Sequence, residues 1–330
     1  MTGVLATAPL DFAGSSLAWS PYDEGRLAVA TAANFGIVGN GAQLVLDVRA
    51  GQRAVLPVAR LVTNDGLSDC AWSETHEHHL ASACSDGSLK LWDLQLAAAH
   101  GGRPLAAVRA HDAEACGVDW SSLQKHLLAT CGWDRAVKVW NAETLQAPVT
   151  VLAVAEPGPR EVHDVRWAPH TAGTLASAAA DRTARVWALN TGRAEVVLGA
   201  HDADVLSVDW HKYNPSVLAT GGVDRLIRLW DLRRPAAPLS VLRGHRLAVR
   251  RVRFSPHDER LLLSCSYDMS AAVWDAAGPP GAPALATYAH HTEFVVGAEW
   301  ALFEPGLFAT CGWDGTLALA QAPPPPPHNV

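Results

Sequence analysis

Long apolar runs, signal-peptide features and paired cysteines are missing from this 330-residue chain. No stretch approaches the roughly 18 apolar residues that a membrane-spanning helix needs, and the N-terminus lacks a basic region followed by an apolar one. We therefore predict neither a membrane span nor secretion. The six cysteines form no CxxC pair. They are expected to be small buried thiols in a reducing compartment, with no disulfide or metal role.

Signatures of catalysis and of nucleic-acid binding are also missing. The sequence has no glycine-rich phosphate-binding loop and no His/Cys cluster at zinc spacing, so we predict no enzyme, no cofactor and no metal. The net charge is −7, and no basic stripe is present to neutralise phosphates. Nucleic acid is therefore a disfavoured partner.

The chain does contain one phrase six times, most fully at residues 128–141 (LATCGWDRAVKVWN). An aliphatic run leads to an Asp, and in five copies a Trp follows that Asp by six residues. These pairs are Asp86/Trp92, Asp134/Trp140, Asp181/Trp187, Asp224/Trp230 and Asp268/Trp274. The sixth copy has Asp314, with Ala320 in the Trp position. The Asp-to-Asp steps of 43 to 48 residues match the blade period of a WD-repeat propeller.

A seventh, degenerate copy lies first, with Asn40 and Leu46 in the Asp and Trp positions. Its aromatic-to-turn distance is 21 residues instead of 14, so a loop around residues 32–38 should bulge out of this blade. We predict an all-β fold, a seven-bladed WD-repeat β-propeller that forms a single domain over residues 1–322.

The last blade lacks an outer strand of its own. Five prolines at residues 323–327 cannot donate to a sheet ladder, so residues 323–330 are predicted to form a proline-rich disordered tail. An open sheet edge invites aggregation. The apolar segment around residues 3–8 is therefore predicted to supply the missing strand and to close the ring.

Polar residues recur at fixed positions around the turn Asp. An aromatic residue lies 14 positions before each Asp, and a His lies nine positions before four of these aromatics. His, Thr and Asp have the composition of a catalytic triad, but a set repeated from blade to blade is structural. In the WD-repeat proteins that these segments resemble, such residues form a buried hydrogen-bonded network with the strand Trp. The expected network residues are His111, Thr130, Asp134, Trp140, His201, Thr220, Asp224, Trp230, His245, Ser264, Asp268, Trp274, His291, Thr310 and Asp314.

A binding surface is expected on the rim where the innermost strands begin and the Asp turns lie. Acidic residues recur three and six positions after the repeat His position, and aromatic residues precede the turn Asp in three blades. The predicted binding residues are Asp65, Asp69, Glu114, Trp133, Glu161, Asp164, Asp204, Tyr267 and Trp313. Arg250 and Arg251 interrupt this arc and could orient a ligand. An acidic, aromatic rim suits a ligand that is basic and partly apolar.

Several segments outside the repeated phrase carry a narrower resemblance. They are PYDEGRLAVATAANFGIVGNG (21–41), NDGLSDCAWSE (64–74), KYNPSVLATGGVDRLIRLWDLR (212–233), LSCSYD (263–268) and HHTEF (290–294). Through them the chain resembles the receptor family for the type-2 peroxisomal targeting signal, from about residue 17 to residue 320.

The resemblance implies a cytosolic receptor for the N-terminal targeting signal of peroxisomal matrix proteins, a helix with a basic residue and spaced apolar positions. It further implies thiolase-like cargo, docking proteins at the peroxisomal membrane, and a co-receptor that in animals is the long form of the type-1 signal receptor. Such a receptor would be cytoplasmic and cycle to the peroxisomal matrix.

Two other functions remain open. A propeller can be a general scaffold that holds several subunits by its rim and sides, and a reader of basic histone tails would also fit an acidic rim. In a blander alternative, the carboxylates only keep the protein soluble and the indoles pack over neighbouring blades.

Overall fold

The computed structural model describes residues 3–36, 39–99, 102–153 and 161–324. Its strands form seven four-stranded antiparallel sheets, which are the blades of a ring. Each innermost strand contacts the innermost strand of the next blade, and the seventh contacts the first. The predicted seven-bladed propeller is confirmed.

Strands are given from the innermost outwards, and blades are numbered along the chain. Blades one to four consist of β2 (Ala13–Trp19), β3 (Arg26–Ala32), β4 (Gly41–Arg49) and β5 (Ala54–Thr63); β6 (Leu67–Trp72), β7 (His79–Cys84), β8 (Ser88–Asp93) and β9 (Ala106–Arg109); β10 (Ala115–Trp120), β11 (Leu127–Gly132), β12 (Ala136–Asn141) and β13 (Pro148–Ala153); and β14 (Val162–Trp167), β15 (Thr174–Ala179), β16 (Thr183–Ala188) and β17 (Arg193–Gly199). Blades five to seven consist of β18 (Val205–Trp210), β19 (Val217–Gly222), β20 (Ile227–Asp231) and β21 (Ser240–Leu242); β22 (Val249–Phe254), β23 (Leu261–Ser266), β24 (Ala271–Asp275) and β25 (Ala286–Tyr288); and β26 (Val295–Trp300), β27 (Leu307–Gly312), β28 (Thr316–Gln321) and β1 (Val4–Pro9).

The N-terminal strand closes the ring as predicted. β1 pairs antiparallel with β28, with Val4 opposite Ala320 and Pro9 opposite Thr316. The backbone N–H of Leu10 then donates to the Gly315 carbonyl at 2.7 Å. The first and last strands of the chain therefore share one blade. Residues 325–330 of the predicted tail lie outside the described residues.

The hydrophobic core is divided among the seven seams between neighbouring blades. Each cluster of buried side chains draws on two adjacent blades, and one of them joins blade seven to blade one. In blade seven, where Ala320 replaces the repeat Trp, the buried ring of Phe308 packs against Tyr288 and Trp300 at centroid distances of 5.0 and 5.6 Å. Phe308, which lies opposite Ala320 in the ladder, thus supplies aromatic packing in the blade that lacks the repeat Trp.

In the part of the chain that the structure describes, helical structure is limited to three short segments. They are α1 (Leu94–Ala99) and two 3₁₀ turns, Ala33–Gly36 and Ala50–Gln52. Within the described ranges, no helix has the length and apolar character needed to cross a bilayer. The turn at Ala33–Gly36 lies in the predicted extra loop of blade one; residues 37–38 of that loop are outside the described residues.

Candidate functional site

The repeated polar residues form a hydrogen-bonded network inside four blades. In blade three, His111 Nδ1 lies 2.7 Å from an Asp134 oxygen and its Nε2 lies 2.8 Å from Thr130 Oγ1. The Trp140 indole donates to the same hydroxyl at 2.9 Å. The same contacts recur in blade five through His201, Thr220, Asp224 and Trp230, and in blade six through His245, Ser264, Asp268 and Trp274. Because each polar atom has a buried partner, the network stabilises the Asp turn instead of offering a free nucleophile.

Blade seven keeps the His–Asp and His–Thr contacts without the Trp. His291 bonds Asp314 at 2.9 Å and Thr310 at 2.9 Å. The neighbouring His290 ring, whose Nε2 lies 3.1 Å from the Thr310 hydroxyl, is close to the place that an indole N–H would take.

Asp224→Ala should lower the free energy of unfolding by about 1–3 kcal/mol, because it leaves Nδ1 of the buried His201 without its hydrogen-bond partner. Burial alone raises the pKa of Asp224, but the His201 hydrogen bond and charge together lower it below its usual value. The stabilisation is therefore present above the unfolded pKa of about 4 and is lost as the pH falls below it. Thermal unfolding of both proteins at pH 7 and pH 3 checks this.

Asp202→Ala is the matched control for that substitution. Its side chain is 87% exposed and pairs with Arg228, which keeps its contact with Asp224 at 3.3 Å, so the change should cost less than about 0.5 kcal/mol. Equal losses for the two variants, or an Asp224 effect that is as large at pH 3 as at pH 7, would contradict the assigned role.

The Asp turns define what we call the upper face of the ring. There, the residue just before the turn Asp donates its backbone N–H to a carbonyl on the innermost-strand side. The acceptor is the carbonyl of the residue three positions after the repeat His position. Trp133 bonds the Glu114 carbonyl in this way, and Trp313 bonds the Phe294 carbonyl, both at 2.9 Å. The other bridges of this kind join Ser85 to Gly66, Ala180 to Glu161, Val223 to Asp204 and Tyr267 to Ala248. Two predicted sets, the acidic and the aromatic, are thus held side by side on one face.

Blades three to five carry the acidic half of the upper face, formed by Glu114, Glu161 and Asp204. The Glu114 carboxylate is half-buried and accepts a hydrogen bond from Ser68 at 3.2 Å. Burial raises the pKa of this carboxyl, opposed by that hydrogen bond and by the Arg250 guanidinium. The Asp204 side chain is 49% exposed and lies 4.0 Å from His163 Nε2. Asp65 is half-buried on the blade-two side, where burial and the Asp86 carboxylate raise its pKa.

Blades six, seven and one carry the aromatic half. The rings of Tyr267 and Phe294 stack at 4.8 Å, and Trp313 lies 5.1 Å from Phe294. Phe35, from the extra loop of blade one, reaches over to Trp313 at 5.0 Å and remains 51% exposed. These four rings form one continuous surface, which we call the aromatic cluster. The Trp133 indole is 48% exposed beside Glu114, on the acidic half.

The loop that presents Phe35 has an unusual backbone. Asn34 and Phe35 adopt φ values of 48° and 60°, a region that bulky L-residues rarely occupy. Strain of this kind persists only where the surroundings enforce it and is common at binding sites. The contact with Trp313 is one interaction that holds the loop in this form.

The prediction that Asp69 and Asp164 stand on the exposed rim is wrong. Their relative exposures are 1% and 0%, and Arg251 is 1% exposed as well. The Arg251 guanidinium lies 3.3 Å from Asp69, 3.4 Å from Asp164 and 3.2 Å from Ser16 Oγ. This arginine joins blades one, two and four to blade six across the central channel. It therefore closes the channel below the upper face instead of meeting a ligand there.

A β-bulge explains the misplacement. All seven innermost strands shift register by one residue near their start, at Ser15, Ser68, Cys116, His163, Leu206, Arg250 and Val296. The extra residue lies at the channel mouth, and the next one points to the ring axis. Arg250 therefore stays near the mouth, while Arg251 lies below it in the channel.

Sequence reasoning missed Phe35 and Phe294 of the aromatic cluster, and it missed His163, whose Nε2 lies 4.0 Å from Asp204 beside the acidic half. Phe294 occupies the same repeat position as Glu114, Glu161 and Asp204, so the repeat alignment already contains the signal for it. His163 is the bulged residue of blade four, and no spacing rule marks it. Burial lowers its pKa to about 4, with a further contribution from Arg250.

Nothing in the described ranges groups three or more metal-binding side chains. The six cysteines are buried free thiols, and burial raises the pKa of Cys70 to about 12. A thiol with such a pKa is a poor nucleophile at neutral pH.

Comparison with known proteins agrees with this architecture. Residues 57–93, 102–141, 192–231 and 236–275 match the family WD domain, G-beta repeat. The chain is 43% identical over 295 residues to the peroxisomal targeting signal 2 receptor of Dictyostelium discoideum, covering 89% of this chain and 90% of the relative. It is 40% identical over 308 residues to the Mus musculus receptor of that name, covering 93% of each, and 39% identical over 310 residues to peroxisome biogenesis protein 7 of Arabidopsis thaliana, covering 94% and 95%. The chain therefore belongs to the family of peroxisomal targeting signal 2 receptors.

Proposed function

We propose that this protein binds the type-2 targeting signal of peroxisomal matrix proteins on its upper face and delivers the cargo to the peroxisome with a co-receptor. The observation that carries the proposal is the division of one rim into an acidic half and an aromatic cluster. Relatives that share almost the whole chain are named as receptors of this signal.

A basic amphipathic helix is the ligand that such a divided rim suits best. Basic side chains on one side of the helix would face Glu114, Glu161 and Asp204, and apolar side chains on the other would lie on the aromatic cluster. The Arg250 guanidinium lowers the pKa of the Glu114 carboxyl, against the larger effect of burial, and is therefore close to the acidic half. Its positive charge repels a misplaced basic residue, so it would set the direction in which the helix lies.

The cellular setting belongs to the same proposal. The protein would be cytoplasmic and cycle to the peroxisomal matrix, with docking proteins at the peroxisomal membrane as further partners. Thiolase-like proteins are the expected cargo.

Binding of a synthetic type-2 signal peptide tests the function, measured by fluorescence anisotropy on the full chain. A scrambled peptide of equal charge, whose apolar residues no longer share one helix face, should bind at least tenfold more weakly. A histone-tail peptide should bind weakly and lose its affinity in high salt. If the signal, scrambled and histone-tail peptides bind with equal affinity, the face recognises charge alone. If no peptide binds, the scaffold function is favoured over the receptor function.

Trp313→Ala should weaken peptide binding about tenfold or more, by a similar factor at low and high salt. The substitution removes the central ring of the aromatic cluster, and buried aromatic anchors typically dominate binding energy. Trp313→Phe keeps an aromatic ring and should recover most of the affinity. A loss that disappears in high salt would contradict an apolar role for Trp313.

A further inference from the structure

The face opposite the Asp turns, which we call the lower face, is asymmetric. It carries the turns between the innermost and second strands. In blades four to six, a His in this turn forms a hydrogen bond to a backbone carbonyl of the next blade. The bonds join Nε2 of His170 to the His211 carbonyl at 3.2 Å, Nε2 of His211 to the Glu259 carbonyl at 3.0 Å, and Nε2 of His257 to the Ala301 carbonyl at 3.2 Å. In the described turns of blades seven, one, two and three, no His makes such a bond. We call the lower face of blades seven, one, two and three the open half, because its described turns have no such histidine contact.

Apolar side chains are exposed on the open half. Tyr22 of blade one is 44% exposed, and Leu302 and Phe303 of blade seven are 38% and 43% exposed. Leu123 of blade three is 47% exposed. Rigid turns that present adjacent apolar side chains to water are typical of protein-binding surfaces.

A cavity of about 150 Å³ opens between these turns at the lower end of the channel. Its walls include the indoles of Trp19, Trp72, Trp120 and Trp300 together with Pro21 and Leu302. Cavities of this volume accommodate a benzene-sized group, so one inserted side chain fits. The Arg251 contacts close the channel above it, which separates the cavity from the upper face.

Trp120 departs from the pattern of the other indoles around the channel. Trp72, Trp167, Trp210 and Trp300 each donate to a carbonyl of the preceding blade at 2.9–3.1 Å, and Trp19 does so at 3.4 Å. The Trp120 indole instead donates to the backbone carbonyl of Lys125 in its own blade at 2.7 Å. It lines both the cavity and a groove of about 440 Å³ beside His76 and Leu145. The boundary between blades two and three therefore lacks the hydrogen bond from this indole to the preceding blade.

The charges in the cavity favour a cation. Asp119, Glu299 and Glu74 line it, against the single guanidinium of Arg166. That guanidinium already forms ion pairs with Asp119 at 3.2 Å, Asp164 at 3.3 Å and Asp69 at 3.7 Å.

One of the three carboxylates, Glu74, has little positive charge near it. Glu74 faces only Lys125, an exposed side chain whose ammonium is 4.0 Å away. Burial raises the pKa of Glu74, against a smaller lowering by Lys125. Asp119 is paired with Arg166, although burial still raises its pKa to about 6. Glu299 is paired with Arg253 at 2.9 Å.

We infer that the lower cavity is a second binding site, which takes one Lys or Arg side chain from an extended segment of a partner protein. The apolar neighbours of that residue would lie on Tyr22, Leu302 and Phe303, and its cationic end would reach Glu74 at the cavity wall. The site is on the opposite side of the ring from the proposed cargo face, so both can be occupied together.

The peptide acetyl-Leu-Arg-Leu-amide is the probe for this site, with the citrulline peptide of the same shape as its neutral control. Binding to the full chain is followed by NMR through the tryptophan indole N–H signals, with those of Trp19, Trp72 and Trp300 assigned from Trp→Phe variants. The arginine peptide should shift these signals saturably, and the citrulline peptide should bind at least tenfold more weakly, as expected for loss of a charged hydrogen bond.

Glu74→Gln should weaken binding of the arginine peptide about tenfold. The control is Glu77→Gln in the same turn, with a side chain 66% exposed, which should change the affinity less than twofold. Neither variant should alter binding of a type-2 signal peptide, so failure here is distinguishable from failure of the proposed function. Equal affinities for the two peptides, shifts confined to Trp133 and Trp313, or no saturable shift at 10 mM would each overturn the inference. Should Glu74→Gln misfold, the two peptides on the unaltered protein still decide.

Discussion

Deletion of residues 1–9 should unfold the ring at physiological temperature. β1 is the outer strand of blade seven, and its removal exposes the whole edge of β28. Leu5, Ala6 and Ala8 would also leave the core cluster that joins blades seven and one. Loss of about five ladder hydrogen bonds at roughly 1 kcal/mol each, plus burial of one Leu and two Ala, amounts to about 5 kcal/mol or more. A domain whose total stability is about 5–15 kcal/mol has little margin for such a loss.

Thermal unfolding followed by circular dichroism, together with soluble yield, measures this effect. Deletion of residues 323–330 is the matched control, since no described residue beyond Gln321 belongs to a strand. That variant should melt within about 2 °C of the full chain. If the tail deletion proved the more harmful of the two, closure by the N-terminal strand would not be what holds blade seven together.

Reversal of Glu114, Glu161 and Asp204 to Lys should reduce binding of a type-2 signal peptide at least a hundredfold at low salt. All three lie on the upper face, and the change replaces attraction for a basic helix by repulsion. Charges at a rim act partly over long range, so added salt should narrow the difference between variant and parent. Titration of a labelled peptide at about 0.05 M and 0.5 M salt measures both effects.

The control for net charge is the triple variant Glu143→Lys, Glu195→Lys and Glu304→Lys. These side chains are exposed away from the upper face, and the formal charge changes by the same amount. Binding should stay within about threefold of the parent. If both triple variants lose affinity equally, net charge and not this face governs binding; if neither does, the upper face is not the cargo site.

A milder triple variant guards against misfolding. Glu114 accepts a hydrogen bond from Ser68 and lies near Arg250, so a Lys there brings two cations together. Glu114→Gln, Glu161→Gln and Asp204→Asn remove the charge and keep the shape. This variant should show an intermediate loss of affinity and a circular dichroism spectrum like that of the parent.

Much of the fold could be predicted from the sequence because the repeat is local. In blade three, the aliphatic run before the turn Asp forms the strand Leu127–Gly132, and the segment that ends near the repeat Trp forms the strand Ala136–Asn141. Their register follows from the alternation of side chains and from an Asp turn of fixed length. The closing strand can also be predicted, because the five prolines cannot form the outer strand of blade seven and another segment has to supply it.

The candidate site is less accessible to sequence reasoning. Glu114 and Asp204 can be assigned to the upper face because their spacing from the repeat His is constant. A search for carboxylates alone does not find Phe294, although it too lies three residues after a repeat His. The contact between Phe35 and Trp313 joins the first and last blades, and nothing in the spacing of the chain indicates that these residues meet.

The sequence by itself determined the number of blades, the repeated network around each Asp turn and the strand that closes the ring, because each depends on contacts within one repeat or on the chemistry of proline. Only the tertiary structure decided which charged side chains face solvent. A bulge of one residue at the start of every innermost strand sends Asp69, Asp164 and Arg251 into the channel and leaves Glu114 on the upper face. Seven strands converge on one axis, so charges distant in sequence become close and pair there. A single residue of register separates a buried ion pair from an exposed charge.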